Sequence, residues 1–329
     1  MSMHNTVNRL HTMTNPMKGG DMPAQLDLSI AATIKDPALR ASLERLGAVM
    51  KDTTPRSEPE PPSAKIIQFP LFPEATRPVS NEMARSALFS CVQGKDRRFI
   101  KDALLATVAD REIRFDGEQL NQDDHDLLMQ MVFMAQHKPL GSWVMVPSYA
   151  ILQALGRQIG GKQYRALRAD ILRLARAMVI IRNTETKREV FGHRLIAKAE
   201  LDEKTRHWIY RLDPDLRELY GDITHTLIDW DQRLALKGKD LARWLQLYLA
   251  SHARPFPVKV ETLRDLSGSR AKALKHFRSK LKTALDDLVD NDDIERWEIE
   301  MPQDLLYVER GRAVSASQKR HLDRKKRRT

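Results

Sequence analysis

Cysteine is almost missing from these 329 residues: Cys91 stands alone, which excludes an intramolecular disulfide and any cysteine-rich zinc module. Long apolar runs are missing too. No stretch approaches the ~18 uninterrupted apolar residues of a membrane span, and the polar first 21 residues lack the apolar core of a secretion signal. A cytoplasmic protein is expected. The motifs of several enzyme classes are also wanting: there is no Gly-x-Ser-x-Gly, no His-Glu-x-x-His, and no pair of histidines around one hydrophobic residue. The segment Gly156-Arg-Gln-Ile-Gly-Gly161-Lys162-Gln163 comes near a P-loop. However, Gln163 stands where a Ser or Thr hydroxyl should hold magnesium, and residues 150–155 read as helix rather than buried strand. Asp123-Asp124-His125-Asp126 begins a helix, where acids complement the positive dipole end, and consecutive positions do not converge on one ion. No cofactor, no metal and no catalytic residue is expected. The chemistry to look for is binding.

What is present is positive charge, unevenly placed. There are 55 Lys and Arg against 44 Asp and Glu, a net +11. Eight of the basic residues and a single acid fall in residues 311–329, a tail with too few apolar side chains to fold alone. Residues 1–80 read as a flexible region: a short helix at 36–51, then a proline-rich linker from Thr53 to beyond Pro78. The folded body is expected as one domain over 81–235 and a second over 236–310.

That body contains a diverged internal repeat. One copy has a helix at 121–137, a strand at 144–147, a short helix at 148–155, a glycine turn at 156–161 and a long helix at 162–178. The other has a helix at 239–252, a strand at 258–260, a short helix at 261–266, the turn Ser267-Gly268-Ser269 and a long helix at 270–289. Leu152 and Leu155 align with Leu263 and Leu266. Across the turn, Tyr164, Leu167, Ile171, Leu174 and Met178 align with Leu274, Phe277, Leu281, Ala284 and Leu288. Hairpin-like sequence follows each long helix, at 179–197 in the first copy and 297–308 in the second. Helix, strand, helix, turn, helix, hairpin is the winged-helix order. The expected fold is therefore mainly α with small β-hairpins (α+β): two tandem winged-helix domains after a disordered N-terminal region and before a basic tail.

On the first long helix Lys162, Arg165, Arg173 and Arg176 lie opposite the apolar stripe, with Arg168 on its flank. On the second, Lys272, Lys275, His276, Ser279 and Lys282 lie opposite the stripe, with Arg278 beside them. A face kept only for solubility interleaves Glu with Lys, because such pairs support a helix. Here acids are missing from 270 to 285. Helices that follow a tight turn enter the major groove, where Arg and Lys contact phosphates and Arg can pair with guanine. These eleven residues are the expected double-stranded DNA contacts.

Several spaced motifs carry a resemblance. Phe69-Pro-Leu-Phe-Pro73, Arg85-Ser-Ala-Leu-Phe89, Gly117-Glu-Gln-Leu120, Pro139-Leu-Gly141, Ala154-Leu-Gly156, Leu227-Ile-Asp-Trp230 with Arg233, and Ala250-Ser-His-Ala253 through Lys259-Val-Glu-Thr-Leu263 resemble the TrfA-type plasmid replication initiators. The resemblance spans about residues 66–309. It implies binding to direct repeats (iterons) at a plasmid origin, opening of nearby AT-rich DNA, and recruitment of the host replicative helicase with help from the host initiator. It also implies an inactive homodimer and an active monomer. Two peptides are similar to sliding-clamp-binding sequences: Gln25-Leu-Asp-Leu-Ser-Ile30, with Gln25, Leu26, Leu28 and Ile30 as anchors, and Gln68-Phe-Pro-Leu-Phe72, with Gln68, Leu71 and Phe72. The rival reading is a winged-helix transcriptional repressor without origin-opening activity.

Overall fold

In the computed structural model, residues 68–310 are described, apart from 109, 222, 223 and 255, and they belong to one compact unit, Lys65–Thr329. The expected helix at 36–51, the proline-rich linker up to residue 67, the peptide Gln25–Ile30 and the tail lie outside the described residues. Strand β1 (Thr76–Ser80) pairs antiparallel with β11 (His225–Asp229), so the start of the first half is tied to its end. Between them, one turn of helix α1 (Asn81–Ala84) leads to β2 (Phe89–Ser90), which lies parallel to β5 (Leu120–Asn121).

Both copies of the repeat are built alike. In the first, α2 (Gln122–Ala135), β6 (Val144–Pro147), α3 (Ser148–Ala154) and α4 (Gly161–Arg176) follow in order. In the second, α6 (Asp240–Ser251), β12 (Val258–Lys259), α7 (Val260–Leu266) and α8 (Leu274–Asp290) do the same. Asn121 starts α2 with a capping box: its side-chain oxygen accepts from the Asp123 and Asp124 amides, and the Asp124 carboxylate accepts from the Asn121 amide at 3.0 Å.

The short helices end identically. Gly156 and Gly268 sit at φ +57° and +63°. Arg157 N–H donates to the Leu152 carbonyl at 2.9 Å and Ser269 N–H to the Arg264 carbonyl at 3.1 Å, closing the same C-terminal motif twice. Their equivalence places the short helices 112 positions apart, one more than the leucine alignment, so Ile151 and Leu263 fill the matching core positions. The long helix α8 starts four residues later than expected, leaving Lys272 on an irregular lead-in. Met178 falls outside α4 and is 38% exposed at the start of β7 (Met178–Asn183).

The hairpins correct the expectation for the first copy. The hairpin of β7 with β8 (Glu189–Arg194) does exist, but it joins β3 (Phe99–Leu105) and β4 (Arg111–Glu118) in a four-stranded sheet of order β3-β4-β7-β8. The hairpin equivalent to the second copy's is β9 (Ile196–Asp202) with β10 (His207–Leu212). It packs as β6-β10-β9, just as β13 (Arg296–Glu300) and β14 (Leu305–Glu309) pack as β12-β14-β13. In each, a left-handed residue at the hairpin turn, Arg206 or Asp304, offers its carbonyl to the first amide of the short helix, Ser148 or Val260, at 2.9 Å. The fold is therefore mixed α and β, not mainly α, because the inserted strands 99–118 and 178–194 build a sheet of their own.

Two apolar cores result. One gathers residues from Phe69 to Leu247 around α2, α4 and the strands. The other gathers Leu236 to Leu306 around α6 and α8. Helix α5 (Trp230–Ala235) lies between the β11 strand and the second copy.

The C-terminal glycines differ in what surrounds them. A Cβ on Gly156 would meet only the Leu234 methyls at 3.8 Å, whereas one on Gly268 would lie 2.7 Å from the Ser90 Cβ. Gly156→Ala is expected to cost about 1 kcal/mol for an L side chain in the left-handed region. Gly268→Ala should cost about 1–3 kcal/mol more through overpacking. Urea unfolding of the two variants checks this, and equal costs would contradict the close approach of the turn to β2.

Candidate nucleic-acid interface

The sequence-predicted cations divide into three groups once the elements are in place. Lys162, Arg165 and Arg176 on α4 are exposed, as are Lys272 ahead of α8 and Lys275, His276, Ser279 and Lys282 on it. These seven side chains and the Ser279 hydroxyl remain available to a ligand.

Arg168 and Arg278 form the second group. Arg168 Nη1 lies 2.7 Å from Glu203 in the β9–β10 turn, and Arg278 grips Asp304 in the β13–β14 turn through Nε and Nη2 at 2.8 and 2.7 Å. The two positions match along the long helices, so each arginine ties its helix to its own hairpin. Asp304 is 15% exposed; Arg278 thereby holds the hairpin turn rather than standing free to donate to phosphate. Arg168 is half exposed and its pair is weak.

Arg173 is the correction. It shares the angular face of Lys162, but α2 and β4 cover that end of α4. Its guanidinium, 9% exposed, reaches Asp124 at 2.5 Å, Asp170 at 3.0 Å and Glu118 at 3.0 Å. Arg157 holds the other Asp170 oxygen at 2.7 Å and Arg97 the other Asp124 oxygen at 2.8 Å. Burial drives the Asp124 carboxyl up, against the pull of Arg97 and Arg173. Arg173 closes a buried ion chain and does not face a ligand.

Sequence reasoning missed the hairpin cations. Lys204 and Arg206 are exposed in the β9–β10 turn, whose backbone is organised by Asp202 accepting from the Lys204 and Thr205 amides at 2.9 and 3.3 Å. The Arg206 guanidinium stands 5.2 Å from the Tyr164 ring centre at the start of α4, so helix and turn offer one continuous basic surface. The signal was Asp-Glu-Lys-Thr-Arg between two alternating runs.

The acid run beginning α2 divides between two sets of arginines. Asp123 pairs with Arg243 at 2.8 Å, Asp124 with Arg97 and Arg173, and Asp126 with Arg233 at 2.7 Å and with Arg243. His125 stacks on Phe89 at 4.0 Å with neither ring nitrogen hydrogen-bonded. Arg233, 0% exposed, also donates to Gln122 Oε1 at 2.7 Å and to the Arg243 carbonyl at 2.5 Å. This buried cluster joins α2 of the first copy, through the connecting helix α5, to α6 of the second. Burial brings Arg233 down to about 10 although Asp126 opposes it.

The near-P-loop is a turn: Gly156 caps α3, which is helix, and Gly161 opens α4. Burial pushes the Cys91 thiol up to about 11, leaving little nucleophilic thiolate. Among the described residues, His193, Asp213 and Asp215 bring metal-ligand atom types together. Nε2 lies 2.9 Å from Asp215, whereas Nδ1 stands 3.9 Å from Asp213, beyond hydrogen-bond reach. Of the second clamp-like peptide, Phe72 is buried in the body's own core. Gln68 is exposed but its side-chain amide donates to the Gln136 carbonyl at 2.8 Å, and Leu71, 68% exposed, projects. Gln68 and Phe72 are thus held by their own domain, because Phe69 and Phe72 pack with Tyr220 and His225.

Two histidines set a pH dependence. Burial, then Arg233 and Arg243, hold His125 well below the ordinary histidine value. Burial, then Arg85, brings His252 to about 4. Unfolded histidine titrates near ~6.5, so between the folded and unfolded values the unfolded chain binds more protons. Stability is therefore fully present above ~6.5 and falls by about 1.4 kcal/mol per pH unit per histidine below it. Urea midpoints at pH 7.5 and 5.5 should show this loss, and His125→Leu should reduce it. An unchanged pH slope in that variant would refute the assignment.

A curated relative, the plasmid replication initiator protein TrfA of Escherichia coli, is 26% identical over 265 residues, covering 77% of this chain and 67% of that one. Among solved structures, domains 2 and 3 of RctB align with TM-score 0.46 at 16% identity, covering 63% of this chain and 85% of that one. The Pi initiator protein in complex with iteron DNA aligns with TM-score 0.44 at 11% identity, covering 62% and 100%. The profile of the family described as TrfA protein matches residues 42–310, more than half of the chain, and the chain belongs to that family.

Proposed function

We propose that this chain is a plasmid replication initiator that binds origin DNA through two tandem winged helices, with α4 and α8 as the major-groove readers. Membership of the TrfA family supports the initiator role. The observation that carries the DNA reading is the duplicated helix–hairpin unit. Each long helix is tied to its hairpin turn by one arginine, weakly by Arg168 and more firmly by Arg278, and each leaves a set of exposed cations on its outer face.

In this reading Lys162, Arg165, Arg176, Lys204 and Arg206 serve one groove, and Lys272, Lys275, His276, Ser279 and Lys282 serve the next. The contacts fall on one DNA face roughly 34 Å apart. The target is a direct repeat, the protein acts in the cytoplasm, and it holds no cofactor. It opens AT-rich DNA, brings in the host helicase and host initiator, and is stored as a homodimer. Gln25, Leu26, Leu28 and Ile30 are the proposed clamp-binding peptide.

Protection footprinting on the cognate origin tests the binding: protected direct repeats are expected, and uniform protection of any DNA would reject repeat recognition. Permanganate reactivity on supercoiled origin DNA separates the initiator from a winged-helix repressor. Reactive thymines beside the repeats are expected; none, with intact repeat binding, would favour the repressor.

A further inference from the structure

The two hairpin sheets differ in the charge of their outer faces. In the first, Lys198 and Arg211 flank the Trp143 ring at 5.5 Å each, and Glu200 on the same face pairs with Lys198 at 2.6 Å. In the second, Trp297, Ile299, Leu306 and Val308 pack on the core, while Glu298, Glu300, Tyr307 and Glu309 alternate with them towards solvent. Among the described residues this face carries two cations: Arg296, engaged by Glu309 at 2.7 and 2.8 Å, and exposed Lys259 of β12, which stands in line with Leu305 and Glu300. Register sets Glu298 directly across from Tyr307. Tyr307 and Phe256, 40% and 55% exposed, border a groove of about 280 Å³ that Glu298 and Glu309 also line.

Carboxylates beside open aromatic faces suit guanidinium and ammonium groups, which gain both a charge-assisted hydrogen bond and a ring contact. The same face repels the phosphates of DNA. The chain itself supplies the complement. Residues 311–329 follow directly on β14 and carry eight Lys and Arg against one Asp, with seven of the eight in residues 319–328. We propose that the basic segment 319–328 docks on this outer face of its own chain, its cations seated beside Glu298, Glu300, Tyr307 and Phe256. The intervening Gly311-Arg-Ala-Val-Ser-Ala-Ser-Gln318 is mostly small and polar. Eight residues of such composition span about 15 Å, close to the ~17 Å length of a five-residue strand. So short a tether gives the docked state an effective concentration of about millimolar. The acidic face then acts as an intramolecular competitor for the tail, which leaves it only when DNA phosphates take its place.

The test needs no origin, so its outcome is separate from that of the initiator reading. Full-length protein without DNA is digested with trypsin at low salt, and cleavage within 319–328 is timed by mass spectrometry. Glu298→Gln plus Glu300→Gln should speed cleavage about fivefold, as expected for two lost surface pairs. High salt should do the same to the unmodified chain, and Glu185→Gln plus Glu218→Gln, on the other half, should change nothing. Equal cleavage rates in the unmodified chain and the Glu298/Glu300 variant would overturn the proposal. Protection that grows with protein concentration would overturn it too, since the tail would then belong to another copy. In a binding arm, the Glu298/Glu300 variant should bind random DNA more tightly than the parent. The gain should vanish when residues 311–329 are deleted, and a gain that persists would mean only that the face repels DNA.

Discussion

Arg233→Ala is expected to lower the unfolding free energy by about 3–5 kcal/mol, the cost of breaking a buried ion cluster by removing one member. The magnitude follows from what remains. Arg233 is fully buried, and its loss leaves Gln122 Oε1, the Arg243 carbonyl and one Asp126 oxygen without their donor. Domains of ordinary stability have only 5–15 kcal/mol in total. The cluster also bridges the two copies, so urea unfolding should separate into two transitions, with the second copy melting first. Arg233→Lys should recover only part of the loss, because an ammonium cannot reproduce the planar fork that serves three acceptors. A loss under ~1 kcal/mol with a single sharp transition would show that the apolar contacts alone hold the halves together.

The second large effect concerns DNA. Lys162→Glu with Arg165→Glu, and separately Lys275→Glu with Lys282→Glu, should each weaken specific binding by on the order of a hundredfold. Each pair removes two exposed cations of the proposed interface and adds repulsion against phosphate. The slope of log affinity against log salt should become shallower by about two, the counterions released by two contacts. Arg173→Ala offers the internal contrast. Its guanidinium serves Asp124, Asp170 and Glu118, so it should lower stability and leave the salt slope intact. Fluorescence anisotropy titrations at several salt concentrations measure all three. If one pair can be reversed without loss, its helix is not a reader; if Arg173→Ala alone flattens the salt slope, the buried chain has been misassigned.

The order of elements in the two repeats was legible in the sequence because every signal behind it is local. A 3.6-residue apolar stripe marks α4 and α8, an Asn-x-x-Asp start marks α2, and one glycine past each short helix permits the left-handed turn that ends it. Charge was equally legible in kind: long helices with a single acid, Asp170, in α4 and none in α8 before Asp286 point to a polyanion.

Tertiary structure alone decided the rest, and in each case the reason is contact between distant residues. Which hairpin serves the first copy depends on β6 finding β10 rather than β8, a pairing of residues 144–147 with 207–210 that no neighbouring residue announces. A helical wheel gives an angle but not which end of the helix is covered, so Arg173 shared a face with Lys162 while α2 and β4 enclosed it. Arg168 and Arg278 looked like ligand contacts until their partners, 35 and 26 positions away, came alongside. The hub at Arg233 lies furthest from view: its carboxylate is 107 positions upstream, and only the packing of one copy against the other makes an arginine in an amphipathic turn the most buried charge at their junction.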